Sequence, residues 1–135
     1  MPSDCIFCSQ PQTEVLAENK LAQAFLDRYP LNHGHTLIVP KRHFASLFDA
    51  TDEEMFGILE LLHEVKKKLD QRFAPDGYNV GVNVGEAAGQ TVFHLHVHVI
   101  PRYLGDVPDP RGGIRRIKKS LVPWAGEGEE ETSGV

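Results

Sequence analysis

The chain is short of cysteine, of basic charge and of long apolar runs. Two cysteines in 135 residues are too few for a secreted scaffold held together by disulfides. Its 14 lysines and arginines are outnumbered by 19 aspartates and glutamates, and a net charge of −5 disfavours a general nucleic-acid-binding surface. No apolar run reaches the roughly 18 residues of a membrane helix, and residues 1–4 carry no apolar signal segment. We therefore expect a cytoplasmic protein that binds neither nucleic acid nor membrane.

The composition indicates one folded domain followed by a polar tail. Hydrophobic residues make up 41% of the chain, which is enough to bury a core. Residues 125–135 are dominated by glycine and glutamate, a composition typical of disorder. The sequence thus predicts a domain over 1–124 and an acidic disordered tail over 125–135. The basic segment 111–119 is interpreted as a solvated loop, or alternatively as a flap that contacts an anionic ligand.

One long helix and several short strands are predicted. Thr51 and Glu54 form a capping-box pattern, and Pro75 marks the end of the helix. The apolar residues that follow the cap recur every three or four positions: Met55, Ile58, Leu59, Leu62, Val65, Leu69 and Phe73. Apolar or alternating segments predict strands over 21–26, 36–39, 78–85 and 92–100. Two hairpins around one helix predict an α+β fold with an antiparallel sheet.

Three histidines alternate with apolar residues in the last predicted strand. Strand side chains alternate between faces, so His94, His96 and His98 should share one face, with neighbours about 6.6 Å apart and the outer pair about 13 Å apart. Three imidazoles on one half-buried face are costly unless each has a polar partner. Packing alone is therefore a poor explanation for this pattern.

Two chemistries fit the alternating histidines. Two neighbouring histidines can share a metal ion, which the third is too far away to join. Alternatively, an imidazole can attack phosphorus, since its ordinary pKa of about 6.5 leaves it a good nucleophile at neutral pH. The preceding loop Gly89-Gln90-Thr91 offers backbone N–H groups, an amide and a hydroxyl for an anion, which favours phosphoryl or nucleotidyl transfer.

Cys5 and Cys8 have the spacing of half a zinc site. A four-coordinate zinc ion needs two further ligands, for which the chain offers seven histidines. The alternatives are two reduced buried cysteines or a redox dithiol.

The segment from Gly89 to Ile100 resembles the signature of the histidine triad (HIT) family, and the resemblance covers roughly Cys5 to Arg102. Segments 24–27 and 34–41, together with Asn83, extend it upstream. The resemblance implies an α+β protomer with an antiparallel sheet of about five strands and one long helix, pairing into a homodimer. It also implies an enzyme that acts on small-molecule nucleotides.

The resemblance further implies roles for particular residues. His96 would attack the α-phosphate and become nucleotidylated, after which water releases the nucleoside monophosphate. His98 and His35 would hydrogen-bond the phosphate and assist the leaving group, and His94 would support His96. The implied substrate-binding residues are Asp27 for the ribose, Asn83, Gly89, Gln90 and Thr91 around the phosphate and leaving group, and Ile6, Phe7, Phe25 and Leu37 around the base. For the last four, ordinary core packing is the alternative.

Similarity to zinc-bearing bacterial members of the family implies a structural zinc cofactor held by Cys5, Cys8, His43 and His94. The expected activity is hydrolysis of a nucleoside 5′-phosphoryl compound, with dinucleoside polyphosphates such as diadenosine tetraphosphate preferred. A nucleoside phosphoramidase and a dinucleoside polyphosphate phosphorylase are the nearest alternatives. A non-catalytic nucleotide-binding adaptor and a metallohydrolase using His94 and His96 are hypotheses of other classes. A histidine at position 98 argues against the uridylyl-transferase branch, in which glutamine is usual.

Overall fold

A computed structural model describes residues 4–9 and 12–118 of the chain. In chain order the elements are α1 (Ile6–Ser9), β1 (Val15–Glu18), β2 (Ala22–Leu26), β3 (Thr36–Pro40), α2 (Asp52–Phe73), β4 (Gly77–Gly81) and β5 (Val97–Arg102). Short 3-10 turns occupy Leu47–Asp49, Glu86–Ala88 and Gly113–Arg116. The chain divides into two compact units, one up to Arg102 and one from Tyr103.

The first unit is an antiparallel sheet with one long helix packed against it. The strand order is β1-β2-β3-β5-β4, and each neighbouring pair is antiparallel. Helix α2 packs against β1, β2 and β3. The predicted α+β fold with about five strands is confirmed. Strand β1 was not predicted, because a register shift between Val15 and Ala17 interrupts the alternation that identifies a strand.

Helix α2 begins with the predicted capping box. The Thr51 hydroxyl accepts a hydrogen bond from the Glu54 backbone N–H, and the Glu54 carboxylate accepts one from the Thr51 N–H. Two backbone donors at the start of the helix are thereby satisfied. The helix ends at Phe73, and the residue that caps it, Ala74, adopts a left-handed conformation with φ 48°.

The buried stripe of α2 differs in detail from the predicted one. Ile58, Leu61, Val65 and Leu69 are buried, whereas Leu59 is 48% exposed. Leu59 lies one residue after Ile58 and is therefore rotated about 100° away from the stripe. The assignment of Leu59 to the core is wrong, and Leu61 takes its place.

The sheet buries apolar side chains on both faces. One cluster lies under α2 and includes Ala24, Ile38 and Val99. On the other face Phe25, Leu37 and Val39 form a second cluster, against which Phe7 of α1 packs. The N-terminal segment thus covers part of the face that α2 leaves open.

Strand β5 begins at Val97, five residues later than predicted. The ladder stops there because β3 pairs with β5 only as far as Val97 and β4 only as far as His98. Before that point the Leu95 N–H donates instead to the Phe44 carbonyl in the loop after β3. His94 and His96 therefore precede the strand, and the prediction that all three histidines share one strand face is wrong. The predicted strand over 78–85 is likewise shortened to Gly77–Gly81.

The second unit is described only as far as residue 118. Its basic segment carries an ion pair between Arg111 and Asp109, with Nε and Oδ1 3.0 Å apart. The predicted domain boundary at 124 and the predicted acidic tail over 125–135 lie outside the described residues. Within the described part of the chain no helix is long and apolar enough to cross a membrane.

Candidate active site and metal centre

A cavity of about 520 Å³ opens beside the second apolar cluster. Its described wall consists of Ile6, Phe7, Gln12, Thr13, Phe25, Leu26, Asp27, Arg28, Tyr29, Leu37, Thr91, Val92, His96 and His98. This volume is in the range of small-molecule sites, and the combination of apolar walls with a few polar side chains is typical of them. The wall brings together residues that are up to 92 positions apart, from Ile6 to His98.

His96 presents a lone pair. Its Nδ1 lies 2.9 Å from the His94 backbone carbonyl, which can only accept, so Nδ1 carries the proton. The remaining ring nitrogen, Nε2, is left unprotonated in the neutral ring. Of the two histidines in the described cavity wall, His96 is therefore the one in which a backbone hydrogen bond leaves Nε2 free to act as a nucleophile.

His98 belongs to a second hydrogen-bonded group. Its Nδ1 lies 3.0 Å from Nε2 of His35, and the same His35 nitrogen is 3.5 Å from a carboxylate oxygen of Asp27. Strand pairing places His98 opposite Leu37 on β3, close to His35 at the entry of that strand. The His96 and His98 rings are 5.0 Å apart between centroids.

Burial keeps these histidines neutral. Desolvation, and then the neighbouring His96 and His35, lower the pKa of His98 to about 4. Desolvation also lowers the pKa of His35, although the Asp27 carboxylate opposes it. At neutral pH the two rings therefore act as neutral hydrogen-bonding groups.

Aromatic contacts connect α1 to the histidines. The Phe7 ring lies 5.2 Å from the His96 ring and 5.7 Å from the Phe25 ring, measured between centroids. It also meets the His94 ring edge-on at 5.8 Å. Phe7 thus forms an apolar wall of the cavity directly beside His96.

Four ligand atoms of Cys5, Cys8, His43 and His94 converge behind this wall, and we call them the Cys₂His₂ cluster. All lie within 4.8 Å of one another. Nδ1 of His94 is 3.5 Å from Cys5 Sγ and 3.4 Å from Cys8 Sγ. Nδ1 of His43 is 3.4 Å from Cys8 Sγ and 3.1 Å from Nδ1 of His94.

These distances are within about 0.2 Å of those expected in a tetrahedral zinc site. Tetrahedral bonds of about 2.3 Å to sulfur and about 2.0 Å to nitrogen separate neighbouring ligand atoms by about 3.3 to 3.8 Å. Nε2 of His94 lies 2.8 Å from the Pro40 carbonyl, so it carries the proton and leaves the Nδ1 lone pair facing the cluster. Desolvation and the neighbouring Cys5 raise the pKa of the Cys8 thiol, and a bound cation would favour the thiolate instead. The donor set fits zinc.

Three residues expected around the phosphate are not part of the cavity wall within the described chain. Asn83 and Gly89 are exposed beyond it. Gln90 is buried, and its amide is already used by the backbone. Its oxygen accepts from the Gly85 N–H, and its nitrogen donates to the Ala45 and Val92 carbonyls. Gln90 therefore fastens the loop, and of that group Thr91 alone reaches the cavity.

Several groups that contact the site residues could not be predicted from the sequence. The carbonyls of Pro40 and His94 and the N–H of Leu31 each engage a histidine ring. Backbone atoms are common to all residues and leave no trace in a motif. Arg28 and Tyr29 also line the cavity. Their position after Asp27 was the only available hint.

The chain matches known proteins over most of its length. It is 40% identical over 102 residues to an adenosine 5′-monophosphoramidase of Schizosaccharomyces pombe, covering 73% of this chain and 74% of that protein. It is 41% identical over 93 residues to an AP-4-A phosphorylase of Mycobacterium tuberculosis, covering 68% of this chain and 48% of that protein. A Zn-bound histidine triad family protein from Mycobacterium smegmatis has a similar structure, with a TM-score of 0.69 and 34% identity, covering 78% of this chain and 84% of that one.

A family model supports the same assignment. The model described as HIT domain matches residues 9–105, which include the sheet, the alternating histidines and all of the described cavity wall except Ile6 and Phe7. This match spans more than half of the chain, and relatives above 30% identity cover more than two thirds of it. The chain belongs to the histidine triad (HIT) family.

Proposed function

We propose that the protein is a hydrolase that cleaves a nucleoside 5′-phosphoryl compound at the α-phosphate through a nucleotidyl-His96 intermediate. One observation carries the proposal: the His94 carbonyl holds the His96 proton on Nδ1, so that a wall residue of a nucleotide-sized cavity has an unprotonated Nε2. Nε2 attacks phosphorus, and the bond from phosphorus to the leaving group breaks. Water then cleaves the phosphorus–nitrogen bond and releases the nucleoside monophosphate and the free imidazole.

The cavity wall supports a nucleotide in one orientation. The Tyr29 N–H donates to Asp27 Oδ1, which fixes a carboxylate that can accept hydrogen bonds from a ribose diol. Phe7, Phe25 and Leu37 provide the apolar surface for the base. His98 lies beside His96, where it can hydrogen-bond the phosphate or the leaving group.

Dinucleoside polyphosphates such as diadenosine tetraphosphate are the proposed preferred substrates. The name of the Mycobacterium tuberculosis relative supports this class and at the same time raises the phosphorylase alternative. The name of the Schizosaccharomyces pombe relative supports a nucleoside phosphoramidase instead. The three reactions share the attack by His96 and differ in the leaving group and in the final acceptor.

We also propose that the Cys₂His₂ cluster holds a structural zinc ion. Zinc would supply positive charge for the Cys5 and Cys8 thiolates and tie α1 to the segment before β5. His94 would then serve two purposes, with its ring in the cluster and its carbonyl on His96. The Zn-bound Mycobacterium smegmatis structure supports this assignment.

Pairing into a homodimer is part of the proposal. It is supported by large apolar side chains that α2 leaves exposed, among them Phe56 at 70% and Leu59 at 48%. Sedimentation of the purified protein tests it, and Phe56→Glu should shift a dimer to a monomer. A wild-type protein that sediments as a monomer would contradict the dimer without affecting the proposed chemistry.

The proposed activity is tested with two substrates in parallel. Diadenosine tetraphosphate and adenosine phosphoramidate are incubated separately with the protein, with and without added phosphate, and the products are separated by chromatography. AMP and ATP formed from the first compound independently of phosphate support the preferred hydrolase. ADP formed only with phosphate identifies a phosphorylase, and selective cleavage of the second compound identifies a phosphoramidase.

Two variants serve as controls for this experiment. His96→Ala should abolish turnover, and trapping of labelled AMP on the protein should be lost with it. His63→Ala removes an exposed histidine of α2 and should leave activity unchanged. If folded, zinc-loaded wild-type protein cleaves neither compound, the hydrolase proposal fails and the nucleotide-binding adaptor gains support.

A further inference from the structure

The described residues contain two groups of potential metal ligands, and the backbone hydrogen bonds to their histidine rings differ. Besides the Cys₂His₂ cluster, ligand atoms of Asp27, His35 and His98 lie within 4.8 Å of one another. In the first group the Pro40 carbonyl accepts a hydrogen bond from Nε2–H of His94, so the lone pair on Nδ1 faces the cluster. In the second group the Leu31 N–H donates to Nδ1 of His35 over 2.9 Å. A neutral His35 must then carry its proton on Nε2, which faces inward.

The inward proton of His35 makes this group a hydrogen-bonded relay. It faces Nδ1 of His98 at 3.0 Å and an Asp27 oxygen at 3.5 Å. A metal bound at His35 Nε2 would move the proton to Nδ1, where it would face the Leu31 N–H. Two donors would then oppose each other, and the Nδ1–H of His35, a residue that is 5% exposed, would be left without an acceptor. The geometry therefore favours a proton over a metal ion.

Resting on the proposed function, we propose that His35 is a positioning residue that, with the Leu31 backbone N–H behind it, holds His98 in the Nε2–H tautomer. Nδ1 of His98 accepts from His35, so the proton of the neutral His98 ring must lie on Nε2. His98 then offers a hydrogen-bond donor to the leaving group. His35 itself is not in the described cavity wall, so it acts through His98 without touching the substrate.

The assignment gives the two neighbouring rings opposite tasks. His96 has its proton on Nδ1 and a free lone pair on Nε2, whereas His98 has its proton on Nε2. A nucleophile requires the first state, and stabilising negative charge on a leaving group requires the second. If His98 adopted the other tautomer, its lone pair would oppose that charge. Besides His35, the charged and titratable groups around His98 are Asp27 and His96.

The tautomer can be read directly by ¹⁵N NMR of the histidine rings in the zinc-loaded protein without substrate. We expect the His98 ring of the wild type to be protonated on Nε2 alone at neutral pH. His35→Leu should turn this into a mixture of tautomers and move the His98 titration upward towards its ordinary range. His33→Leu, the same replacement at an exposed histidine two residues away, should change neither. Protonation of wild-type His98 on Nδ1, or no response to His35→Leu, overturns the proposal.

Hydrogen exchange of the Leu31 amide tests the other end of the relay in the wild type alone. The Leu31 side chain is 70% exposed, so an amide without a partner there should exchange quickly. We expect protection, because the amide donates to buried His35. Fast exchange would overturn the proposal even if the His35→Leu variant did not fold.

Kinetics then separate positioning from binding. His35→Leu should lower kcat by about five- to tenfold, the size of one neutral hydrogen bond, with little change in KM. His35→Gln keeps an amide donor near the Nε2 position and should recover part of kcat. A rise in KM alone, or no recovery with glutamine, contradicts the positioning role. If the wild type has no turnover but shows the expected tautomer, the proposed function fails while the relay stands.

Discussion

Gly34 provides the sharpest test of the packing beside the site. It lies directly before His35 and has φ +89°, a conformation that residues with a Cβ rarely adopt. A Cβ built at this position lies 3.0 Å from Cδ2 of Phe73 and 3.1 Å from Cγ of Pro101. Gly34→Ala therefore introduces backbone strain and overlap with two side chains at once.

The expected loss can be estimated from these two contributions. Backbone strain at a positive φ costs about 1 to 3 kcal/mol, and overpacking by one methyl group costs about 1 to 3 kcal/mol. Phe73 is only half-buried and can shift, so we expect Gly34→Ala to lower the free energy of unfolding by about 2 to 4 kcal/mol. That is a large part of the roughly 5 to 15 kcal/mol that stabilises a typical domain.

Urea denaturation of three alanine variants isolates each contribution. Gly85→Ala also meets a positive φ, of +90°, but has no atom within 4 Å of the new Cβ, and should lose about 1 to 3 kcal/mol. Gly81→Ala has neither strain nor overlap and should change stability by less than about 1 kcal/mol. Equal losses for Gly34→Ala and Gly85→Ala would refute the contact with Phe73 and Pro101. A neutral Gly34→Ala would refute the backbone conformation as well.

Four further predictions concern stability. Ala74→Gly should stabilise the protein by about 1 kcal/mol, seen as a higher Tm, because glycine adopts the left-handed conformation without strain. Glu54→Gln should lower the free energy of unfolding by about 1 to 2 kcal/mol. Hydrogen bonds from Arg42 lower the pKa of the buried Glu54 carboxyl to about 2, but water screens the half-exposed Arg42 and reduces the effect on stability. The wild-type advantage should be complete above pH 4.5 and disappear as the pH falls towards 2. His98, whose pKa burial lowers to about 4, should destabilise the fold as the pH falls from 6.5 towards 4, and His98→Gln should flatten that part of a urea-midpoint curve. Chelation should lower the Tm of the wild type and leave that of Cys8→Ser unchanged.

Each of these predictions has an outcome that contradicts it. A lower Tm for Ala74→Gly would place the end of α2 elsewhere. A Glu54→Gln penalty that persists unchanged at pH 3 would mean that the carboxylate charge contributes nothing. An unaltered acid limb in His98→Gln would exclude burial of a neutral His98. A wild-type Tm that is insensitive to chelators would argue against zinc in the Cys₂His₂ cluster.

Local signals account for the parts of the fold that could be predicted. The capping box of Thr51 and Glu54 and the spacing of Leu62, Val65 and Leu69 involve residues that are three or four positions apart, so α2 can be predicted from the sequence. Strand β1 could not be predicted, because its bulge interrupts the alternation of inward and outward side chains. The start of β5 could not be predicted either, since it depends on where the backbone hydrogen bonds to β3 and β4 end.

The chemical groups that the site contains could be identified from the order of residues. The alternating histidines and the pair Cys5 and Cys8 are short-range patterns, and their family resemblance followed from the order of residues alone. How these groups are divided between the cluster and the cavity depends on the folded chain. It places the ring of His94 among the cysteines, His96 on the cavity wall and His98 against His35. The hydrogen-bond partner of each ring decides which of its nitrogens carries the proton. Partners such as the Pro40 carbonyl for His94 belong to segments that meet only when the chain is folded.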